Sequence, residues 1–215
     1  MMKDKLNKIV PSYSWKMLII VVGFNCLTYF GTKLITGGRH HYILQTPLDS
    51  AIPFRPEWVT VYFLAYLFWG LGFILVARES ERACKVYFTG EIIAKVICFL
   101  CFVLLPTTIV RPNIGMEGSV WQRMTYLLYQ IDSPDNLFPS IHCLESWFCC
   151  RTALKLRRAP RWYPAFAWVS AFLVFASTLL LKQHVFLDVI GGVLVLEIGF
   201  FISGKMYSRK GDLDL

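Results

Sequence analysis

Apolar residues in this chain occur in runs of about 20, separated by short segments rich in charge, glycine and proline. The runs cover about residues 15–35, 58–77, 86–105, 139–154, 162–181 and 183–206. A helix needs about 20 apolar residues to cross a bilayer. The pattern therefore predicts an all-α, polytopic membrane protein with six transmembrane helices in one domain, residues 1–215.

The segments between the runs carry weaker signals. Residues 107–139 form the longest non-spanning stretch, and within it residues 120–131 place apolar side chains at helical spacing. This stretch predicts a short interfacial helix with aromatic residues at headgroup level. Residues 132–136 have the composition of a turn, and residues 78–85 are predicted to be a short charged turn between two spans.

The positive charge gives the topology. The chain is 56% hydrophobic with a net charge of +8. Fifteen Lys and Arg residues fall on the side of the two termini and six on the opposite side. Basic residues favour the cytoplasmic side of a membrane. Both termini are therefore predicted to be cytoplasmic, in the plasma membrane, and the charge indicates anionic lipid headgroups rather than nucleic acid.

Two pairs within the apolar runs are predicted to be structural. Cys98 and Cys101 form a C-x-x-C, but no second pair stands at metal-binding spacing, so a metal or redox role is disfavoured. Glu91 and Lys95 stand four residues apart, which predicts an ion pair within one helix.

Candidate chemistry collects on the non-cytoplasmic side. His184 and Asp188 stand four residues apart and would share one helical face. A neutral imidazole is a competent nucleophile, and the carboxylate would fix its tautomer. His142 could protonate a leaving oxygen. Lys182 and Arg111 could hold phosphoryl oxygens.

Ser140, at a predicted helix start, adds a hydroxyl and free backbone N–H groups that suit an anion. Together these groups predict phosphoryl transfer through a phosphohistidine at the extracytoplasmic face, without metal or other cofactor. Each histidine alone is more often a satisfied polar residue, and we assign that status to His40 and His41. The His184–Asp188 spacing alone could also bind a metal.

The order R-P, P-S-x-H and S-x6-H-x3-D resembles the type 2 phosphatidic acid phosphatase (PAP2) superfamily over about residues 86–206. The resemblance implies a six-helix membrane core. It implies that Arg111 belongs to the first motif, and that Ser140 and His142 are the phosphate-binding serine and general acid of the second. It makes Ser177, His184 and Asp188 the third motif, with His184 the nucleophile, Asp188 its orienter and Ser177 a phosphate ligand.

Three positions depart from the family pattern. Leu104 stands where the first motif has lysine, Thr178 where the third has arginine, and Ile141 where the second has glycine. We hypothesise that Lys182 replaces the missing arginine. A bulky residue at position 141 and a lysine shortly before His184 are similar to the inositol phosphorylceramide synthase-like branch.

The resemblance implies a lipid phosphate or pyrophosphate phosphatase, with the membrane and a lipid phosphate as partners. One alternative is a lipid headgroup phosphotransferase of the inositol phosphorylceramide synthase type. A second is a non-catalytic lipid-binding or transport homologue, which the two missing cations favour. The sequence does not identify the lipid.

Overall fold

The computed structural model describes residues 9–208, and the all-α fold is confirmed. The helices are α1 (Trp15–Cys26), α2 (Thr32–Thr36), α3 (Pro47–Ala51), α4 (Val59–Glu79), α5 (Glu81–Leu104), α6 (Val120–Ile131), α7 (Ile141–Ala153), α8 (Tyr163–Leu180) and α9 (Phe186–Ser208). Two short strands, β1 (Tyr42–Ile43) and β2 (Thr107–Thr108), pair in parallel. The basic residues of the topology prediction that lie outside the described residues are Lys3, Lys5, Lys8, Arg209 and Lys210.

The membrane-spanning helices differ in number from the prediction. Within residues 9–208, five helices are long and apolar enough to cross a membrane: Ser12–Thr36, Pro56–Glu79, Glu81–Leu104, Tyr163–Leu180 and Phe186–Ser208. The predicted fourth span is represented by α7, whose 13 residues extend only about 20 Å. Because α7 is short and mostly buried, it resembles a core helix, and the count of six spans is not confirmed.

The first span, Ser12–Thr36, joins α1 and α2 through a π-helical turn, Leu27–Gly31. It packs along α5. The predicted charged turn at 78–85 is wrong in extent, because α4 continues to Glu79 and α5 begins at Glu81. Only Ser80 is non-helical, and its hydroxyl accepts a hydrogen bond from the Ala83 N–H at 3.0 Å, which caps α5.

The helix predicted at residues 120–131 is confirmed as α6, with the predicted bounds. Its place at the membrane interface stays a prediction. Ser119 and Gln122 form a reciprocal capping box at its start, which satisfies two backbone donors.

Small residues bring α9 close to two other helices. A side chain at Gly199 would meet the carbonyl oxygen of Gly90 on α5, and one at Gly192 would meet the carbonyl oxygen of Ser140 before α7. Glycines at such crossings allow helix backbones to approach within a membrane. The contact at Gly192 matters for function because it fixes the start of α7 against α9.

The predicted Glu91–Lys95 ion pair is wrong. Lys95 instead forms a fully buried salt bridge with Glu145 on α7 and donates a hydrogen bond to Asn25 Oδ1 at 2.7 Å. These contacts join the first span, α5 and α7, so Lys95 satisfies partners on two neighbouring helices rather than on its own.

Candidate functional site

The two histidines predicted to carry the chemistry lie next to each other. The ring centroids of His142 and His184 are 5.7 Å apart with 55° between the ring planes. Both side chains are largely buried, with 9% and 8% of their surface exposed. Residues 42 positions apart in the chain therefore form one pair.

Asp188 is placed to orient His184. Its Oδ2 lies 3.2 Å from His184 Nδ1 and also accepts a hydrogen bond from the Val185 N–H at 2.9 Å. The expected shared helical face is not observed, since α9 begins at Phe186 and His184 lies two residues before it. Asp188 instead reaches back from the first turn of α9. With Nδ1 facing the carboxylate, Nε2 is the nitrogen available for attack.

A Schellman motif at the end of α8 sets the position of His184. The Gln183 N–H donates to the Thr178 carbonyl at 2.9 Å, and the Lys182 N–H donates to the Leu179 carbonyl at 3.1 Å. Lys182 occupies the left-handed position of this motif, with φ of +53°, where glycine is usual. The chain reverses here, so Gln183 and His184 face the interior.

The contacts of Lys182 do not bring it to the two histidines, and its replacement of the family arginine stays a hypothesis. Its Nζ donates to the carbonyl oxygens of Asp49 at 2.8 Å and Ile52 at 2.5 Å. Burial lowers the pKa of its ammonium group from the usual value. The side chain therefore reaches α3 and the residue that follows it. Lys182 holds this end of α3 in place and does not line the cavity at the histidines.

His142 lies in an aromatic enclosure formed by α4. Its ring stacks on Tyr62 with centroids 4.5 Å apart and 29° between planes, and the edge of Trp69 lies at 5.3 Å. Among the described residues, none lies within hydrogen-bond distance of His142 Nε2, which is buried. This nitrogen is therefore available to exchange a proton with a bound ligand.

The two predicted serines have structural contacts. Ser140 Oγ accepts from the Cys143 N–H at 3.3 Å as the N-cap of α7, and its own N–H donates to the Asp188 carbonyl at 3.0 Å. Ser140 thus ties the start of α7 to Asp188. Ser177 Oγ donates to the Val174 carbonyl at 2.7 Å within α8. The structure does not bring Ser177 to the cavity, because its hydroxyl is bonded to its own helix and fully buried.

Arg111 contacts Gln183, the residue next to His184. Its Nη1 donates to the Asp132 carbonyl at 2.5 Å, and its Nη2 donates to Gln183 Oε1. The guanidinium lies 4.5 Å from the ring centroid of Tyr129. Burial lowers the pKa of Arg111 from its usual value, but arginine remains charged in proteins. Arg111 is therefore a fixed positive charge close to His184.

Asp132 is a central residue that the sequence interpretation treated only as part of a turn. Its carboxylate accepts hydrogen bonds from the hydroxyls of Tyr29 and, at 2.8 Å, Tyr62. Burial raises the pKa of Asp132, but His142, the two hydroxyls and Arg111 outweigh it and hold that pKa below the usual value. Asp132 is thus ionised and contacts the tyrosine that stacks on His142.

A cavity of about 340 Å³ opens onto both histidines. Its polar lining near them consists of Asp132, Asp135, Asn136, His142, Gln183 and His184. Gln183, like Asp132, was not predicted; its position immediately before His184 was the available signal. Arg111 and Ser140 lie behind this lining. The cavity could hold a phosphoryl group between two imidazoles, with a carboxylate orienting one ring.

Comparison with known proteins gives one match. A family model described as the PAP2 superfamily covers residues 36–202. No curated protein and no solved structure matches the chain. The matched segment contains every candidate site residue from Arg111 to Asp188, whereas nearly all of the first span lies outside it.

Proposed function

The chain belongs to the PAP2 superfamily, and from that premise we propose that it hydrolyses the phosphate or pyrophosphate of a membrane lipid through a phosphohistidine. Membership makes it a phosphatase-type membrane protein at the family level. The observation that carries the specific proposal is the pairing of His142 and His184, with centroids 5.7 Å apart and Asp188 at 3.2 Å from His184 Nδ1.

In the first half of the proposed reaction, His184 Nε2 attacks phosphorus. A P–N bond forms and the bond to the leaving oxygen breaks. His142, in its imidazolium form, gives its proton to that oxygen. Burial and the neighbouring His184 lower the pKa of His142 to about 3, so in this proposal the negative charge of the bound phosphoryl group stabilises the imidazolium. Asp188 stabilises the positive charge that develops on His184, because its carboxylate faces the opposite ring nitrogen.

In the second half, His142 removes a proton from water as the water oxygen attacks phosphorus. The P–N bond breaks, inorganic phosphate leaves, and both histidines return to their starting states. Arg111 offsets negative charge on the phosphoryl oxygens in both halves. Gln183 holds Arg111 beside His184. The scheme needs no metal, which stays a prediction, as do the plasma membrane location and the extracytoplasmic face.

The test is phosphate release by the detergent-purified protein from lipid phosphates, with chelator present. We expect His184→Ala to abolish release, and His40→Ala, which changes an exposed histidine, to leave it unchanged. Radiolabelled substrate should leave an acid-labile, alkali-stable label on the wild-type protein. Full phosphate release by His184→Ala would refute the proposal.

The same assay separates the alternatives. Headgroup exchange with an added alcohol, in the absence of phosphate release, would identify the phosphotransferase related to inositol phosphorylceramide synthase. Lipid binding with neither reaction would identify the non-catalytic homologue. The non-catalytic homologue is disfavoured because both histidines line one cavity and Asp188 contacts His184, which a binding protein does not require.

A further inference from the structure

The cavity at the histidines continues sideways between the first span and α4. From the first span it is lined by Cys26, Tyr29 and Phe30, and from α4 by Phe63, Tyr66 and Trp69. The first span packs mainly along α5, so its contact with α4 does not close this side. The far end of the cavity is therefore aromatic and apolar.

The two ends of the cavity differ in chemistry. The imidazoles and Gln183 line one end, where Trp69 also contacts His142. Cys26, Phe30 and Phe63 line the end towards the surface of the first span and α4. Phe30 and Cys26 are exposed on the surface of the first span, a helix apolar enough to face hydrocarbon. A ligand that fits both ends carries a phosphoryl group on a hydrocarbon chain.

The first span is held against the segment that leads to His142. Tyr29 donates to Asp132, Lys33 Nζ donates to Ser133 Oγ at 2.8 Å, and Asn136 Nδ2 donates to Thr32 Oγ1 at 3.2 Å. The π-helical turn Leu27–Gly31 contains Tyr29 and Phe30. Such turns interrupt helices most often at functional sites.

We propose that the first span and α4 form a binding site for the hydrocarbon chain of the substrate, which enters from the membrane between these two helices. The inference rests on the proposed function, since the chain must carry the phosphate that the histidines attack. It goes beyond that function because the part of this site that the first span supplies lies outside the family-matched segment, residues 36–202.

Cys26→Trp tests the site by filling its entrance. Leu27→Trp is the matched control, because Leu27 is the next residue, is 53% exposed and does not line the cavity. We expect Cys26→Trp to lower kcat/KM for a long-chain lipid phosphate by about tenfold or more. Hydrolysis of p-nitrophenyl phosphate, which carries no hydrocarbon chain, should fall by a smaller factor, and Leu27→Trp should lower neither activity. Equal activity of Cys26→Trp and wild type on the lipid would overturn the inference.

A second measurement does not depend on turnover. Cys26 is the most exposed of the cysteines, and Cys101 is half-buried. In a Cys101→Ser background, dodecyl phosphate should slow alkylation of Cys26 by N-ethylmaleimide, and inorganic phosphate should not. Alkylation unaffected by dodecyl phosphate would overturn the inference. Protection without any phosphate release would support the chain site while refuting the proposed hydrolysis.

Discussion

Asp132 joins the residues around both histidines, and Asp132→Asn removes its charge with little change in size. The carboxylate accepts from Tyr29 and Tyr62, and the amide oxygen of Asn can retain one of these bonds. A hydrogen bond to a charged group contributes about 1.5–3 kcal/mol. Loss of one such bond should lower the unfolding temperature by about 3–12 °C, given roughly 2–4 °C per kcal/mol at this chain length.

The stability effect should depend on pH in a defined direction. The folded-state pKa of Asp132 is lowered, whereas an unfolded aspartate has a pKa of about 3.9. The stabilisation by the carboxylate is therefore complete well above about pH 4 and is lost as the pH falls through the folded-state pKa. The difference in unfolding temperature between wild type and Asp132→Asn should be largest near pH 7 and shrink below about pH 4.

The kcat of Asp132→Asn should differ from that of the wild type mainly at high pH. The Asp132 carboxylate favours the imidazolium form of His142, which the first half of the reaction consumes. In Asp132→Asn the basic limb of the kcat–pH profile should move to lower pH. At high pH, kcat should fall about tenfold for each pH unit of this shift.

The control for both measurements is Glu117→Gln, which removes an exposed negative charge outside the cavity. An Asp132→Asn profile that coincides with the Glu117→Gln profile would refute the role assigned to Asp132.

Lys182→Ala should lower thermal stability in detergent without changing inhibition by inorganic phosphate, because Lys182 bonds the carbonyls of Asp49 and Ile52. Lys182→Gly should be about 1–2 kcal/mol more stable than Lys182→Ala because of the left-handed backbone; weaker phosphate inhibition with unchanged stability would instead restore Lys182 as a phosphate ligand. Lys95→Met should destabilise by about 3–5 kcal/mol, since it leaves Glu145 buried without its partner. Lys95→Met with Glu145→Gln should recover most of that loss in a double-mutant cycle, and strict additivity would contradict the pairing.

The sequence predicted those features that depend on residues close together in the chain. The bounds of α6 follow from amphipathic spacing and from the Ser119 and Gln122 cap, all within a few residues of one another. The apolar runs predicted the long spans for the same reason. The short α7 was predicted to be a membrane span because hydropathy measures only apolar content. A helix buried inside the protein and a helix buried in lipid have similar apolar content.

The contacts around the site could not be predicted in the same way. Tyr29 and Asp132 are 103 positions apart, and Arg111 and Gln183 are 72 apart. Such pairs depend on how the helices pack, which spacing along one helix does not reveal. The Lys182 side chain also depends on a left-handed backbone at a position where glycine is usual. The charge of Lys182 and its position two residues before His184 therefore did not predict which groups it contacts.

The same packing explains why two family cations can be absent. Leu104 ends α5 with 74% of its surface exposed, so a lysine there would point away from the histidines. Thr178 is fully buried, and its carbonyl accepts the N–H groups of Gln183 and His184. An arginine at 178 would have to place a long charged side chain in that closely packed turn.

The positive charge beside His184 comes instead from Arg111, held by Gln183 and by the Asp132 carbonyl. Gln183 is uncharged and Asp132 is negative, so neither adds positive charge for a phosphate. Their contribution is to fix the guanidinium, and a fixed charge stabilises a developing charge without reorganising. Under the proposed function, we therefore expect Arg111 to supply the positive charge that the absent lysine and arginine would otherwise add.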